Sequence, residues 1–208
     1  PAILMRDFFG LKQSGTILQS HAGFSVQAEG VVDVLPDGQE DAPAPWQLGP
    51  YRRATPLTSP GPALTALGEA LPDSDPASAV MALLSERFTY LPGSTHAATT
   101  AEEAAVLMQG VCQDEAHIML ALLRMKGIPC RYVMGYMLGE GSTHAWVEVL
   151  HEARWLGLDP TNHREVNDEY ITIAAGRDAN DCPVNRGIFS GGAKQQSQCG
   201  LSVWRINE

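Results

Sequence analysis

The sequence predicts an α+β domain in which a helical layer precedes an antiparallel sheet. Three observations carry this. Residues 62 to 126 hold apolar side chains at helical spacing. A run of β-branched and aromatic segments separated by short turns follows from Cys130. The two patterns occupy separate stretches of chain rather than alternating, which favours a segregated α+β plan over a parallel α/β sheet.

The elements follow in order. Residues 1 to about 36 read as β: Phe24-Ser25-Val26-Gln27-Ala28 alternates apolar and polar, and Val31-Val32-Asp33-Val34-Leu35 ends at the turn signal Pro36-Asp37-Gly38. So few strands do not make an independent sheet. They are expected to be the last strands of a β-domain that begins upstream of Pro1. Residues 37 to 61 form a Pro-rich linker, and seven prolines fall between 36 and 62. Residues 62 to 208 then form the main domain. Helices are expected over 62–72 and 76–88, the second placing Val80, Leu83, Leu84 and Phe88 on one face. Thr100-x-x-Glu103 is a capping box opening a helix to about Met108. After Gly110 a further helix runs from Cys112 to Lys126 and stops at Gly127, with Pro129 beyond. Strands are expected over 130–138, 143–151, 155–159, 170–174 and 201–206.

Composition narrows the function classes. At 208 residues and 44% hydrophobic, the chain can bury a core without disulfides or metal. A formal net charge of −10, with no Lys/Arg run, argues against nucleic acid and against anionic membranes. No stretch approaches the ~18 apolar residues of a membrane span. Cys112, Cys130, Cys182 and Cys199 show neither paired spacing nor zinc spacing, and free thiols in a reducing cytoplasm are the simplest reading. No metal or cofactor is expected.

Cys112 sits at a predicted helix start, where unpaired N–H groups and the helix dipole stabilise a thiolate and can hold an oxyanion. Taken alone, a Cys among apolar neighbours is more often core. His144 follows 32 residues later at a strand start, and Asp159 lies 15 residues beyond it at the end of the next strand. A short hairpin would return Asp159 beside His144, where it could fix the imidazole tautomer and support its cation. Nucleophile, base and orienter in these contexts form an acyl-transfer constellation.

Gly110-Val111-Cys112-Gln113-Asp114 with Ala116-His117, then His144-Ala145-Trp146-Val147-Glu148, then Asp159-Pro160-Thr161-Asn162, resembles the bacterial transglutaminase-like superfamily. Leu122-Leu123-Arg124, Gly127-Ile128-Pro129, Arg131-Tyr132-Val133-x-Gly135-Tyr136, Gly176-Arg177-Asp178 and Pro183-Val184-x-Arg186-Gly187 fit the same pattern. Asp7-Phe8-Phe9-Gly10 is similar to the end of the small β-domain preceding such cores. The resemblance covers about residues 50 to 190. It implies a papain-like fold, with Cys112, His144 and Asp159 as a catalytic triad acting on a peptide or other amide-containing substrate. Hydrolysis is the favoured outcome. Amine transfer, an acyltransferase with a small thioester donor, and a non-catalytic binding module are the alternatives.

Trp146, Glu115 and Asn162 are expected near the substrate cleft. Glu115 stands where the family commonly has an aromatic, and would disfavour the thiolate if it faced the sulfur. Asp114 and His117 are expected to be structural, Arg177 and Asp178 to form an ion pair, and Cys130 to lie in the core. Cys182 and Cys199 are read as loop or strand thiols. Gln109 is too close to Cys112 to supply a papain-type second oxyanion donor.

Overall fold

A computed structural model describes residues 3–6, 12–15, 23, 25–35, 44–183, 196 and 198–206. Strands β1 (Ile3–Arg6) and β2 (Lys12–Gly15) pair antiparallel. The strands expected between Phe24 and Leu35 do not form: residues 25–35 are irregular, with Val26, Val31 and Val32 exposed. Alternation makes a strand only when a neighbour supplies ladder partners, and no pairing is made here among the described residues. Phe24, Asp7 to Gly10, Pro36-Asp37-Gly38 and residues 184–187 lie outside the described residues.

The helical layer follows: α1 (Pro62–Ala70), α2 (Pro76–Arg87), α3 (Ala101–Leu107) and α4 (Cys112–Met125). Its caps are local chemistry. Asp75 accepts from Ser78 N at 3.2 Å at the start of α2. At α3 the expected box is complete, with Glu103 N donating to Thr100 Oγ1 at 3.2 Å and Thr100 N to Glu103 Oε2 at 2.8 Å. The first N–H groups of α1 are held from another helix, because Glu102 accepts from Gly61, Ala63 and Leu64 N at 2.8–3.0 Å. Between these helices, β3 (Thr89–Tyr90) pairs parallel with β4 (Gln109–Gly110), a contact not anticipated from sequence.

The sheet comprises β5 (Cys130–Met137), β7 (His144–His151), β8 (Arg154–Asp159), β9 (Arg164–Glu165) and β10 (Tyr170–Gly176), while β6 (Gly139–Gly141) pairs separately with β11 (Leu201–Val203). Its order, β10-β5-β7-β8-β9, departs from a simple meander: after β9 the chain crosses to the far edge and lays β10 antiparallel on β5. One face carries Tyr132, Met134, Ala145, Val147, Val149 and Leu158 against Ile118, Met119, Leu122 and Leu123 of α4, and this is the main core. The other face holds a smaller cluster of Val133, Trp146 and Tyr170. Gly135 makes room for it, since a Cβ there would stand 2.1 Å from Ile171 O and 2.5 Å from the Trp146 ring.

Candidate active site

Three elements converge on the site, and each is fixed by local sequence. Helix α4 begins at Cys112 itself, preceded by extended Val111. Asp114 folds back so that its Oδ2 accepts from Val111 N at 2.8 Å and from Thr95 Oγ1 at 2.7 Å. Gly110 permits this, because a Cβ there would meet Asp114 Oδ2 at 2.4 Å. Half-buried Cys112 therefore occupies the first position of the helix, ahead of Asp114 and Glu115, whose N–H groups donate to Val111 O at 2.9 and 3.2 Å.

Strand β7 begins at His144, which pairs in register with Gly135. The β7–β8 hairpin turns on Glu152 and Ala153, both at positive φ (47° and 64°), with His151 opposite Arg154. Two left-handed residues are what a two-residue hairpin requires, whether or not glycine supplies them. From that turn the register runs back to Leu158 opposite Val147 on the core face, and Asp159, the next residue of β8, points to the other face. Asp159 thus shares a sheet face with Trp146 and His144.

The geometry of the pair is tight. His144 Nε2 stands 2.7 Å from Asp159 Oδ2. The same oxygen accepts from Tyr170 OH at 2.6 Å and Asn162 Nδ2 at 2.7 Å, while Oδ1 accepts from Thr161 N at 3.0 Å and Asn162 N at 3.2 Å. Asp159 has no exposed surface. Burial pushes its carboxyl up, but the hydrogen bonds from His144, Asn162 and Tyr170 outweigh burial and bring it down to about 2. Burial pushes the His144 imidazolium the other way, yet Asp159 and Cys112 overcome it and raise the ring to about 9. With Nε2 committed to Asp159, Nδ1 is the nitrogen left for Cys112, whose thiol acts on the same imidazole. A thiol, a cationic imidazole and a fixed carboxylate in this order can perform nucleophilic acyl transfer.

The structure brings Cys112, His144 and Asp159 together, and the three cleft candidates stand around them. Trp146 is fully buried, packed edge-on to Tyr170 with centroids 5.3 Å apart, so it backs the His144 ring rather than lining an open cleft. Glu115 is also buried, and its carboxylate accepts from Thr161 Oγ1 at 2.6 Å. Asn162 is exposed and ties down Asp159, with its Nδ2 at 3.5 Å from His144 Nε2.

Other expectations divide. Asp114 pins the helix start, and buried His117 accepts from Ala179 N at 3.2 Å, both structural arrangements. Cys130 lies in the core, where burial pushes its thiol to about 11. Cys182 is buried in the same core and Cys199 is exposed. The charge of Asp178 favours the Arg177 cation, as expected, but that guanidinium donates hydrogen bonds to a different acid. Arg177 grips Asp181 through Nε at 2.7 Å and Nη2 at 2.8 Å. Asp178 turns its carboxylate into its own loop to accept from Asn180 N at 2.8 Å, as an Asx turn does.

Sequence reasoning passed over two residues that matter here. Tyr170 reads as an ordinary strand aromatic, and only the crossover of β10 brings its hydroxyl to Asp159. Buried Arg124 donates to Tyr51 O, Thr58 Oγ1, Cys130 O and Arg177 O at 2.6–3.2 Å, stitching the linker to the sheet. A cation within the apolar run of α4 is the signal that could have found it.

Among the described residues no helix is long and apolar enough to cross a membrane. A family model described as the transglutaminase-like superfamily matches residues 63–160, the stretch that contains all three converging residues. An uncharacterized protein of Mycobacterium bovis is 32% identical over 210 residues, covering 83% of this chain and 67% of its own length. One from Mycobacterium leprae is 39% identical over 115 residues, covering 50% of this chain and 41% of its own. The crystal structure of a candidate cysteine protease from Cytophaga hutchinsonii matches with a TM-score of 0.59 at 27% identity, over 72% of this chain and 55% of that one. This chain spans only part of each relative. On the family match, the mycobacterial likeness and the shared fold, the chain belongs to the transglutaminase-like superfamily.

Proposed function

We propose that this chain is a cysteine-nucleophile acyl-transfer enzyme that cleaves peptide or other amide bonds through a thioester. The observation that carries the reading is the 2.7 Å His144–Asp159 bond on a fully buried carboxylate, with the helix-start Cys112 acting on the same ring.

In this reading Cys112 Sγ attacks the amide carbon, forming the S–C bond and placing negative charge on the carbonyl oxygen. Asp114 and Glu115 N already donate to Val111 O, so the N–H groups of Cys112 and Gln113 at the start of α4 are the candidate donors to that oxygen. Collapse breaks the C–N bond, and the imidazolium of His144 gives its proton to the departing amine. Water then attacks the thioester, His144 takes the water proton, and the carboxylic acid leaves as the thiolate returns. Asp159 holds Nε2–H throughout, so Nδ1 remains the exchanging nitrogen. An amine in place of water would give transamidation by the same steps. A reducing compartment such as the cytoplasm suits the reading, because Cys112 must stay a thiol and the structure pairs no cysteines among the described residues.

The test is a library of peptide and isopeptide substrates, screened with and without a primary amine. Turnover to the free carboxylic acid, abolished in Cys112→Ala, is the expected result. Turnover that survives in Cys112→Ala would refute the assignment, and exclusive amide product would move it to transamidation.

A further inference from the structure

Glu115 is a buried acid near the start of α4, and its surroundings assign it a task. It lies one turn beyond Cys112 on the same side of the helix, is 3% exposed, and accepts from Thr161 Oγ1 at 2.6 Å. Thr161 in turn donates its backbone N–H to Asp159 Oδ1 at 3.0 Å. One residue therefore grips the orienting carboxylate with its main chain and the nucleophile helix with its side chain.

These contacts close a circuit. It runs from Cys112 along one helical turn to Glu115, across to Thr161, to Asp159, to His144 at 2.7 Å, and back to Cys112. The Glu115–Thr161 bridge therefore joins the Asp159 turn to α4 by a second route, beside the one through His144 and Cys112. An aromatic at position 115 could fill the same space, but it could not accept the Thr161 hydroxyl.

We infer that Glu115 is a positioning residue of the site, which fastens the Asp159 turn to the nucleophile helix through Thr161 and so sets the His144 ring against Cys112.

The charge of Glu115 has a second consequence. The groups facing it are Asp114 on its own helix, Asp159 and His144 from the sheet, and Tyr90 from β3. Burial, joined by the two aspartates and opposed by Thr161 and His144, pushes its carboxyl up to about 7. Once ionised, it favours the imidazolium form of His144 by the same interaction through which His144 favours the carboxylate.

The inference rests on the reading of Cys112 as nucleophile, so the experiment separates the two. Iodoacetamide alkylation of Cys112 and exposed Cys199 is followed by mass spectrometry in the intact protein and in Thr161→Val, Glu115→Gln and Glu115→Ala. The His144 ring is titrated by NMR in each, and thermal melting reports folding. Thr161→Val keeps shape and drops the hydroxyl, while Glu115→Gln keeps an acceptor and drops the charge. A loosened triad is expected to slow Cys112 alkylation about tenfold or more in Thr161→Val and Glu115→Ala, with Glu115→Gln restoring most of the rate. The His144 midpoint is expected to fall in Glu115→Gln, because a neighbouring negative charge has gone. A fast Cys112 in the parent protein, with an unchanged rate in folded Thr161→Val, overturns the inference and leaves the nucleophile reading standing. A parent Cys112 no faster than Cys199 overturns both. Should Glu115→Ala not fold, the Thr161→Val rate and the Glu115→Gln midpoint decide alone.

Discussion

Replacing Asp159 with Asn removes one negative charge from beneath His144 and leaves the shape of the side chain intact. The rise of the imidazole from 6.5 to about 9 corresponds to about 3 kcal/mol at ~1.36 kcal/mol per pH unit. The fall of the Asp159 carboxyl from 3.8 to about 2 corresponds to about 2 kcal/mol on the same scale. Cys112 contributes to the first figure and Asn162 and Tyr170 to the second, so the pair itself is worth about 2–3 kcal/mol. Because the His144 value is raised, its contribution is fully present below pH 6.5 and is lost as pH rises through about 9. Because the Asp159 value is depressed, its contribution is present above pH 3.8 and is lost as pH falls through about 2. Both are in force at pH 7. NMR titration of the His144 ring should find the midpoint of Asp159→Asn well below about 9, at or under ~8, since burial is then opposed by Cys112 but no longer by Asp159. Thermal melting at pH 7 should fall by about 5–10 °C for a chain of this size. A variant midpoint that stays above 8 would contradict the argument, because the charge of Asp159 would then not be what holds the proton on His144.

Further outcomes follow from the same contacts. Tyr170→Phe removes the 2.6 Å hydroxyl bond to Asp159 at a buried site, and a loss of about 2 kcal/mol in denaturant unfolding is expected. Gly135→Ala drives a Cβ into Ile171 O and the Trp146 ring, so a loss of about 3 kcal/mol, with disturbed Trp fluorescence, is expected. Glu115 acts on stability in the opposite sense to Asp159. Its raised carboxyl binds a proton more tightly in the folded state, so this contribution declines as pH rises from 4.5 through about 7, and melting of Glu115→Gln across that range should show a shallower decline than the parent.

Much of the arrangement can be read from the residues, and the limits have physical causes. Cys112, His144 and Asp159 were legible because each sits where local rules place it: a helix start after Gly110, a strand start, and a strand end before Pro160. The helix bounds followed from Thr100 and Glu103 at one end and from Gly127 and Pro129 at the other. What depends on long-range topology was not legible. The crossing of β10 to the far edge, and with it the Tyr170 hydroxyl on Asp159, has no signature in local periodicity. That Asp181 takes the Arg177 hydrogen bonds turns on the backbone geometry after β10, where both acids are near in sequence. The alternation in Phe24–Ala28 and the β-branched run Val31–Leu35 are real, but a pattern of side chains does not supply a partner strand. Glu115 was visible as a departure from the family, whereas its Thr161 partner, 46 residues away, was not.

The central claim is that Cys112 is an activated nucleophile held by His144 and Asp159. Its most direct test is the rate of iodoacetamide alkylation of Cys112 relative to the exposed Cys199 in one sample at neutral pH, read by peptide mass spectrometry. The account predicts that half-buried Cys112 reacts at least ~10-fold faster than Cys199, because reactivity follows thiolate character rather than exposure alone. It also predicts that His144→Ala removes this advantage. Equal or slower labelling of Cys112 in the folded protein would contradict it.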